Sequence, residues 1–499
     1  MTQRQKPPAT QRSKASPLIQ DQTLIEFGTH AMGIYADEVN LARAVPDLVD
    51  GLKPVQRRVM WASAKLGKDF AKTARLVGDV LGRYHPHGDM SVQGAIETVM
   101  HSNVSTLKGK GNWGSLVDSA AAMRYTLCCL SQYGWTFFDE DYIHKDVTSF
   151  VPNYDDSTVE PVCLPSFMPN VLINGGEGIG VGTTTRLPTF TPDSLIVAMK
   201  RLLQGERLTP IDFAKTLKPI NRYGGKLVNT KENRKAWLGI FTGSTSSVAF
   251  CATLVIDRNG KSIEVDDWPA GLHPSKLILN ARKLPEVDQA FNHKGATGVR
   301  IEMRKDHNYE QFDKLVTKIE KLTTVRRAFK INVTHRTSSI EDGVVSFDTK
   351  YLNLSVPQLL MTWLKERLAL EKRSLAYRTR RQHELIAYSE LLIFAANNAD
   401  AIIKVIRTSM NPHPDLMRQF KLSEVQANQI LDLQLRKISK LDQSAIKEKL
   451  KTQQAHLKQL VQWTSKPRAK VIADFDQVLV AIEADRKFES DKSKKMTVS

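Results

Sequence analysis

Cysteine is scarce in this 499-residue chain, and the four that occur are badly spaced for the usual uses. Cys128 and Cys129 are adjacent and cannot form a C-x-x-C metal knuckle, while Cys163 and Cys251 stand alone. A zinc ribbon and a disulfide-framed secreted domain are thereby excluded, and a reduced, cytoplasmic compartment is expected. Long apolar runs are lacking too: none approaches the roughly 20 residues that a membrane span needs. The opening stretch, MTQRQKPPATQRSKASP, has no apolar segment behind its positive charges, so it is not a secretory signal. Residues 1–20 read as a disordered basic tail. No Walker-type or other ATP-binding loop is visible, and the glycine-rich stretch Gly175–Gly182 is not followed by Lys-Ser/Thr, which argues against a nucleotide site of that kind. Acidic residues are outnumbered, 53 Asp+Glu against 71 Lys+Arg, leaving a net charge of +18. That surplus points to a polyanionic partner, with nucleic acid the first candidate.

What is present centres on the stretch from Gly109 to Leu127, GKGNWGSLVDSAAAMRYTL, in which Tyr125 directly follows Arg124 behind a run of small residues. Glycines at 109, 111 and 114 let the backbone approach something closely. A second cluster lies forty residues upstream, Gly82-Arg-Tyr-His-Pro-His-Gly-Asp89. We expect the two clusters to form one site that cuts DNA. Pattern and caps predict a helix over Asp21–Ala36, a second over 54–65 with Pro54 first, a third over 71–82, and a fourth from Asp89 as N-cap to His101. Helix, short turn, helix in a basic setting is the geometry of a helix-turn-helix DNA reader. A phenol with an ordinary pKa near 10 attacks a phosphodiester only with help from cations and a proton acceptor. Arg124 is adjacent to it, and His85 and His87 are candidate electrostatic partners. Taken alone, the pair reads more readily as a half-buried core tyrosine beside a turn. Zinc ligation by the two histidines lacks a third ligand.

A resemblance separates these readings. Arg43-Ala-Val-Pro-Asp-Leu-Val-Asp-Gly-Leu-Lys-Pro-Val-Gln-Arg-Arg58, Gly78-Asp-Val-Leu-Gly-Arg-Tyr-His-Pro-His-Gly-Asp89, Gly111-Asn-Trp-Gly114 and Ala120-Ala-Ala-Met-Arg-Tyr-Thr126 resemble, in order, the breakage-reunion core of type IIA DNA topoisomerases. The match is to the A subunits of gyrase and topoisomerase IV. It implies that Tyr125 is the nucleophile that becomes linked to a DNA 5′ phosphate, with Arg124 its neighbouring transition-state cation. Arg43 matches the arginine that reaches the active site, and His85 and His87 match the histidines near the scissile phosphate. Lys53, Arg57 and Arg58 look like DNA-backbone contacts. The family's Gly-Ile-Ala-Val-Gly loop is replaced by Gly175-Gly-Glu-Gly-Ile-Gly-Val-Gly182, whose Ile179 would be the apolar wedge between base pairs. Met90 and Gly94 stand where many bacterial members carry the serine and acidic residue that hold quinolones through a water-metal bridge, so weak quinolone sensitivity is expected. Gln56 and Leu127 also depart from the family pattern without touching the nucleophile.

The same resemblance organises the whole chain as an α+β multidomain protein. It implies a winged-helix DNA-gate domain over 21–152, an α/β tower domain over 153–345, and a long antiparallel coiled coil with a helical dimerisation gate over 346–468. A C-terminal helix and Lys-rich tail (Lys492, Lys494, Lys495) follow over 469–499. Alternating runs at Ser247–Ile256 and Gly298–Met303 read as strands. Val356, Leu359, Leu360, Trp363, Leu364, Leu368 and Leu375 keep helical spacing, Asn411-Pro-His-Pro414 interrupts, and helices are expected over Leu422–Leu441 and on to Trp463. Family cleavage needs a divalent metal, yet Asp139-Glu-Asp141 and Asp474-Phe-Asp476 lack the right context, so no metal ligand is assigned to this chain. Mg2+ and ATP are expected on a B-type partner subunit, carrying the ATPase and metal-binding (TOPRIM) modules, in an A2B2 assembly on double-stranded DNA. The chain would dimerise through its DNA gate and its exit gate, in the cytoplasm of a bacterium or of a phage's host. Without room for a DNA-wrapping domain it is expected to relax or decatenate rather than supercoil. Two rivals are a non-catalytic helix-turn-helix architectural protein and a tyrosine recombinase; the latter expects a His-x-x-Arg box and a tyrosine near the C-terminus.

Overall fold

The computed structural model describes residues 23–244, 247–293, 298–341, 344–432 and 443–497. The basic tail expected over 1–20 lies outside them. Helix α1 (Leu24–Val39) starts at a capping box in which the Thr23 hydroxyl accepts from the Glu26 amide and the Glu26 carboxylate accepts from Thr23. It begins three residues later than expected and runs three residues further. Its apolar stripe is uncovered: no residue of α1 is buried, and Leu24, Ile25 and Phe27 are exposed. The helix widens into a π-helical turn, Asn40–Ala44, which carries Arg43.

Helix α2 (Pro54–Leu66) has proline in its first turn, where a missing N–H costs nothing, and buries Val59, Met60, Trp61 and Ala62. Helices α3 (Thr73–Arg83) and α4 (Asp89–Met100) pack against it through Leu76, Val77, Val80, Val92, Ile96 and Val99. The N-cap of α4 is Gly88 rather than the expected Asp89; Asp89 sits in the first turn, where its charge still favours the helix dipole. Residues 71 and 72, expected in α3, form a short strand instead. That strand, β1 (Ala71–Lys72), joins β2 (Leu107–Lys110) and β3 (Leu127–Leu130) in an antiparallel sheet of order β1-β3-β2. Because β3 begins at Leu127, the sheet fixes the residues immediately before it, Arg124 and Tyr125.

Three apolar cores follow. The largest runs from Leu48 through α2–α4, Phe137, Leu172 and Phe190 to the foot of a long helix at Leu359 and Trp363, and on to Phe475. A second lies between the four-stranded sheet of Leu254–Asp257, Ser262–Val265, Gly298–Met303 and Val287–His293 and the helix Tyr309–Leu322. The run expected as one strand at Ser247–Ile256 is two, Ser247–Cys251 and Leu254–Asp257, in different sheets; Thr253 turns outward, its amide bound by the Asp267 carboxylate.

The long helix, Val356–Asn397, spans 42 residues from a capping box at Ser355 and Gln358. It pairs antiparallel with Gln443–Ser465, since Gln382 bonds the Gln453 carbonyl and His456 while Ser389 bonds the Gln453 side chain. Helices Ala399–Thr408, Pro412–Phe420 and Glu424–Leu431 cap its far end around a third small core of Leu391, Ile402, Val405, Leu416 and Ile430. Asn411 does interrupt, with Pro412 opening the next helix. The rest of the helix expected to Leu441 falls on 433–442, outside the described residues. Helix Pro467–Thr497 returns to the main core. The chain is thus mixed helix and sheet, with no described helix long and apolar enough to cross a membrane.

Candidate functional site

Tyr125 stands on a turn held from three sides. Its amide donates to the Ala122 carbonyl at 2.9 Å, the Thr126 hydroxyl donates to the Thr73 hydroxyl at 2.8 Å, and the Thr73 amide at the start of α3 donates to the Thr126 carbonyl at 3.1 Å. Gly111, at φ +91°, passes so close that a Cβ would lie 3.0 Å from the Tyr125 carbonyl oxygen, which is the close approach expected of the glycines there. The ring itself is 64% exposed, and the Arg124 guanidinium carbon lies 4.7 Å from its centroid. A rigid backbone thus presents a solvent-facing phenol with a cation stacked on it.

The histidine turn is built separately. The Asn153 side-chain amide holds the Arg83 carbonyl at 2.6 Å where α3 ends, and the His85 amide closes onto the Val80 carbonyl at 2.8 Å. Arg58, one turn into α2, grips the Glu160 carboxylate with two nitrogens at 2.8 and 2.7 Å and turns its third toward His85 Nδ1 at 3.1 Å. A guanidinium is only a donor, so His85 Nδ1 accepts and the ring proton sits on Nε2. Burial, reinforced by His87, Arg58 and Arg43, lowers the His85 pKa to about 4. His85 is therefore neutral at pH 7 and, as an electrostatic partner, offers an Nε2–H donor. The His87 ring centroid is 4.2 Å away, edge-on.

The expected DNA contacts divide. Arg57 is buried at 4% exposure and bonds both oxygens of fully buried Asp50, at 2.5 and 3.0 Å, and the Leu52 carbonyl at 3.2 Å. It staples the turn before α2, so its guanidinium is engaged inside the protein and not presented as the expected backbone contact. Arg58 is taken up by Glu160 and His85. Lys53 donates to the Glu177 carbonyl at 2.7 Å and keeps two protons free, tying the start of α2 to the glycine loop. That loop is a hairpin, Glu177–Ile179 with Thr184–Arg186, and Ile179 near its turn is 86% exposed. Gly180, where the family loop has alanine, has no room for a methyl beside the Asn40 side chain.

Arg43 is exposed and contributes to the field around His85. The structure therefore gathers Arg43, Arg58, His85 and His87 in one cluster and Arg124 with Tyr125 in another. Among the described residues, no hydrogen bond, ion pair or ring contact joins the two within one chain. Glu160 and Asn153, which set the histidine turn, escape a reading of the sequence; both lie some distance along the chain from the groups they hold, and no local motif marks them.

Three of the four triplet aspartates are ion-paired. Asp141 pairs with Arg378 at 3.0 Å, Asp476 with Lys200 at 2.8 Å, and buried Asp474 with Arg367 at 2.7 Å and with Lys470. No group of three or more potential ligands occurs among the described residues.

A model of the family described as the DNA gyrase/topoisomerase IV A-subunit matches residues 43–475. Similar curated proteins include the DNA topoisomerase 4 A-subunit of Pseudomonas aeruginosa, 30% identical over 465 residues, covering 89% of this chain and 59% of that protein. The DNA gyrase A-subunit of Helicobacter pylori is 30% identical over 435 residues, 83% of this chain and 50% of that one. For the DNA topoisomerase 4 A-subunit of Escherichia coli K12 the figures are 30% over 444 residues, 85% and 56%. The chain thus spans 50–59% of the length of these three relatives. With the family model covering most of its length, this chain belongs to the DNA gyrase/topoisomerase IV A-subunit family.

Proposed function

We propose that this chain is the DNA cleavage and reunion subunit of an ATP-dependent type IIA topoisomerase, with Tyr125 as the nucleophile. The observation that carries the reading is an exposed phenol on an immobilised turn, stacked by Arg124, in a chain that also presents a neutral histidine donor and an exposed apolar hairpin residue. Attack of the phenolic oxygen on phosphorus forms a phosphotyrosine ester and releases the 3′ hydroxyl; return of that hydroxyl reseals the strand and frees the phenol. Guanidinium groups suit the charge that accumulates on the non-bridging oxygens.

Since no hydrogen bond, ion pair or ring contact joins the two clusters among the described residues, we assign them to opposite protomers of a homodimer, with Arg124 and Tyr125 of one copy facing Arg43, His85 and His87 of the other. Helices α2–α4 and the β1-β3-β2 sheet are read as the winged helix of the DNA gate. The second core is read as part of the tower, and the small core at the end of the long helix as the exit gate. Lys53 would touch the DNA backbone and Ile179 would wedge the bend. Mg2+ and ATP are assigned to a B-type partner in an A2B2 assembly; for the metal, the support is that Asp141, Asp474 and Asp476 are already paired with cations. Duplex passage gives relaxation and decatenation, the expected outcome on supercoiled and catenated plasmids.

The test is to assemble the chain with a B-type partner, supply Mg2+ and plasmid, and denature rapidly. Protein attached to 5′ ends, lost in Tyr125→Phe, supports the proposal. Tyr125→Phe with unchanged DNA activity would instead support a non-catalytic architectural protein.

A further inference from the structure

We propose that Asn40 is a positioning residue that locks the Ile179 hairpin to the turn carrying Arg43, so that wedge and arginine address DNA as one rigid piece. This rests on the cleavage reading above. Asn40 opens the π-helical turn that ends at Ala44. Its carboxamide pairs with the backbone of Val181 in both directions: Nδ2 donates to the Val181 carbonyl at 3.1 Å, and the Val181 amide donates to Oδ1 at 3.0 Å. The side chain thus takes the place of a strand partner for the hairpin. Arg43 follows three residues later in the same turn.

The two glycines flanking Ile179 explain why the pieces can approach. A Cβ at Gly178 would overlap the Ala44 carbonyl, and one at Gly180 would overlap Asn40 Oδ1. The turn therefore occupies both places where the hairpin has no side chain, and Ile179 between them is left facing solvent. From the other side, Thr183 bonds the Tyr351 hydroxyl at 2.6 Å, the Asn332 side-chain amide donates to the Thr184 carbonyl at 2.8 Å, and Arg336 donates to the Leu41 carbonyl at 3.1 Å. The hairpin is fastened to both strands, Asn332–Glu341 and Val344–Asn353, the turn is fastened to the first of them, and Asn40 closes the triangle. Without its amide, the hairpin tip can shift while Arg43 stays in place.

The experiment uses the full chain in two settings. Alone, Asn40→Ala is expected to accelerate hydrogen exchange at the Val181 amide and to leave protection in α2–α4 unchanged. Assembled with a B-type subunit on a duplex carrying a fluorophore pair across the bend, Asn40→Ala is expected to broaden the distribution of bent states. It should also lower covalent-complex yield about tenfold, the scale of two lost part-buried hydrogen bonds, with DNA affinity unchanged. Gly180→Ala should reproduce the defect by displacing Asn40, and Asn40→Ala/Gly180→Ala should be no worse than Asn40→Ala alone, the non-additivity of a direct contact. Unchanged Val181 exchange in Asn40→Ala would overturn the lock. Faster exchange with normal bending and cleavage would overturn its role in the reaction. A wild-type chain that bends DNA but forms no covalent complex would refute the cleavage reading, leaving exchange and bending to decide the lock.

Discussion

Arg57 and Arg58 are neighbours on α2 and indistinguishable as letters in a basic motif, yet one is interior and the other links two functional side chains. The difference lies in acids that sequence distance hides: Asp50 returns across the turn before α2, and Glu160 arrives from 102 residues away. Arg57→Ala should therefore cost about 3–5 kcal/mol of stability by stranding a buried carboxylate, read by denaturant unfolding, whereas a DNA-contact residue would change affinity and salt dependence instead. His85 gives a pH prediction. In the folded chain it protonates near pH 4, against about 6.5 for an unfolded histidine. Between those values the unfolded state holds the extra proton, so the His85 contribution makes stability rise with pH from about 4 to about 6.5 and fall as the solution is acidified through that window. NMR titration of the ring should give a midpoint near 4 with the proton on Nε2, and Glu160→Gln should disturb that tautomer. Met90 is 72% exposed and Gly94 has open space around it, so the missing quinolone anchors have room to be restored. Met90→Ser/Gly94→Glu should increase quinolone-stabilised cleavage several-fold in the assembled enzyme, and strong cleavage without the substitutions would contradict the expectation. The tyrosine, its arginine and the histidine turn are legible in the sequence because they are contiguous motifs; the state of each side chain is not, since it depends on partners brought in by folding.

Among elements, those with periodic apolar faces can be placed from the sequence, and those whose partners are distant or outside the chain cannot. The long helix is readable from Val356, Leu359, Leu360 and Trp363 because all four bury in the main core. The stripe of α1 has the same periodicity yet covers nothing here, since an amphipathic pattern reveals a face and not what meets it. At the foot of the long helix, Arg367 is fully buried, pairs with Glu371 at 2.9 Å and Asp474 at 2.7 Å, and lies over the Phe167 ring at 4.5 Å. The Tyr142 hydroxyl donates to Glu371 at 2.6 Å. This cluster fastens the long helix and the helix Pro467–Thr497 to the segment carrying Tyr142, and nothing local in the sequence announces it. Arg367→Ala, which leaves buried Glu371 without a cation and Asp474 with Lys470 alone, is expected to lose about 3–5 kcal/mol, measured by unfolding. A loss below about 1 kcal/mol would show that the acids are neutral or hydrated in the variant.

Across the molecule, one continuous core runs from the helices that carry the histidine turn to the foot of the long helix Val356–Asn397, so the two are packed together. Among the described residues no hydrogen bond, ion pair or ring contact joins the phenol to the histidine cluster, and on the proposed reading this makes a second copy part of the chemistry rather than an accessory. Family membership is readable in the sequence because four motifs fall in order between Arg43 and Thr126. The division of the site between clusters is not, because adjacency in sequence says nothing about which protomer a neighbour belongs to. The proposed function stands or falls on a covalent bond between the Tyr125 oxygen and a DNA phosphate. Rapid denaturation of the assembled enzyme on end-labelled duplex, followed by mass spectrometry of the DNA-bound peptide, looks for that bond itself. A 5′-linked nucleotide on Tyr125, absent from Tyr125→Phe, is the expected result; a covalent adduct that persists in Tyr125→Phe, or one mapped to another residue, would refute it.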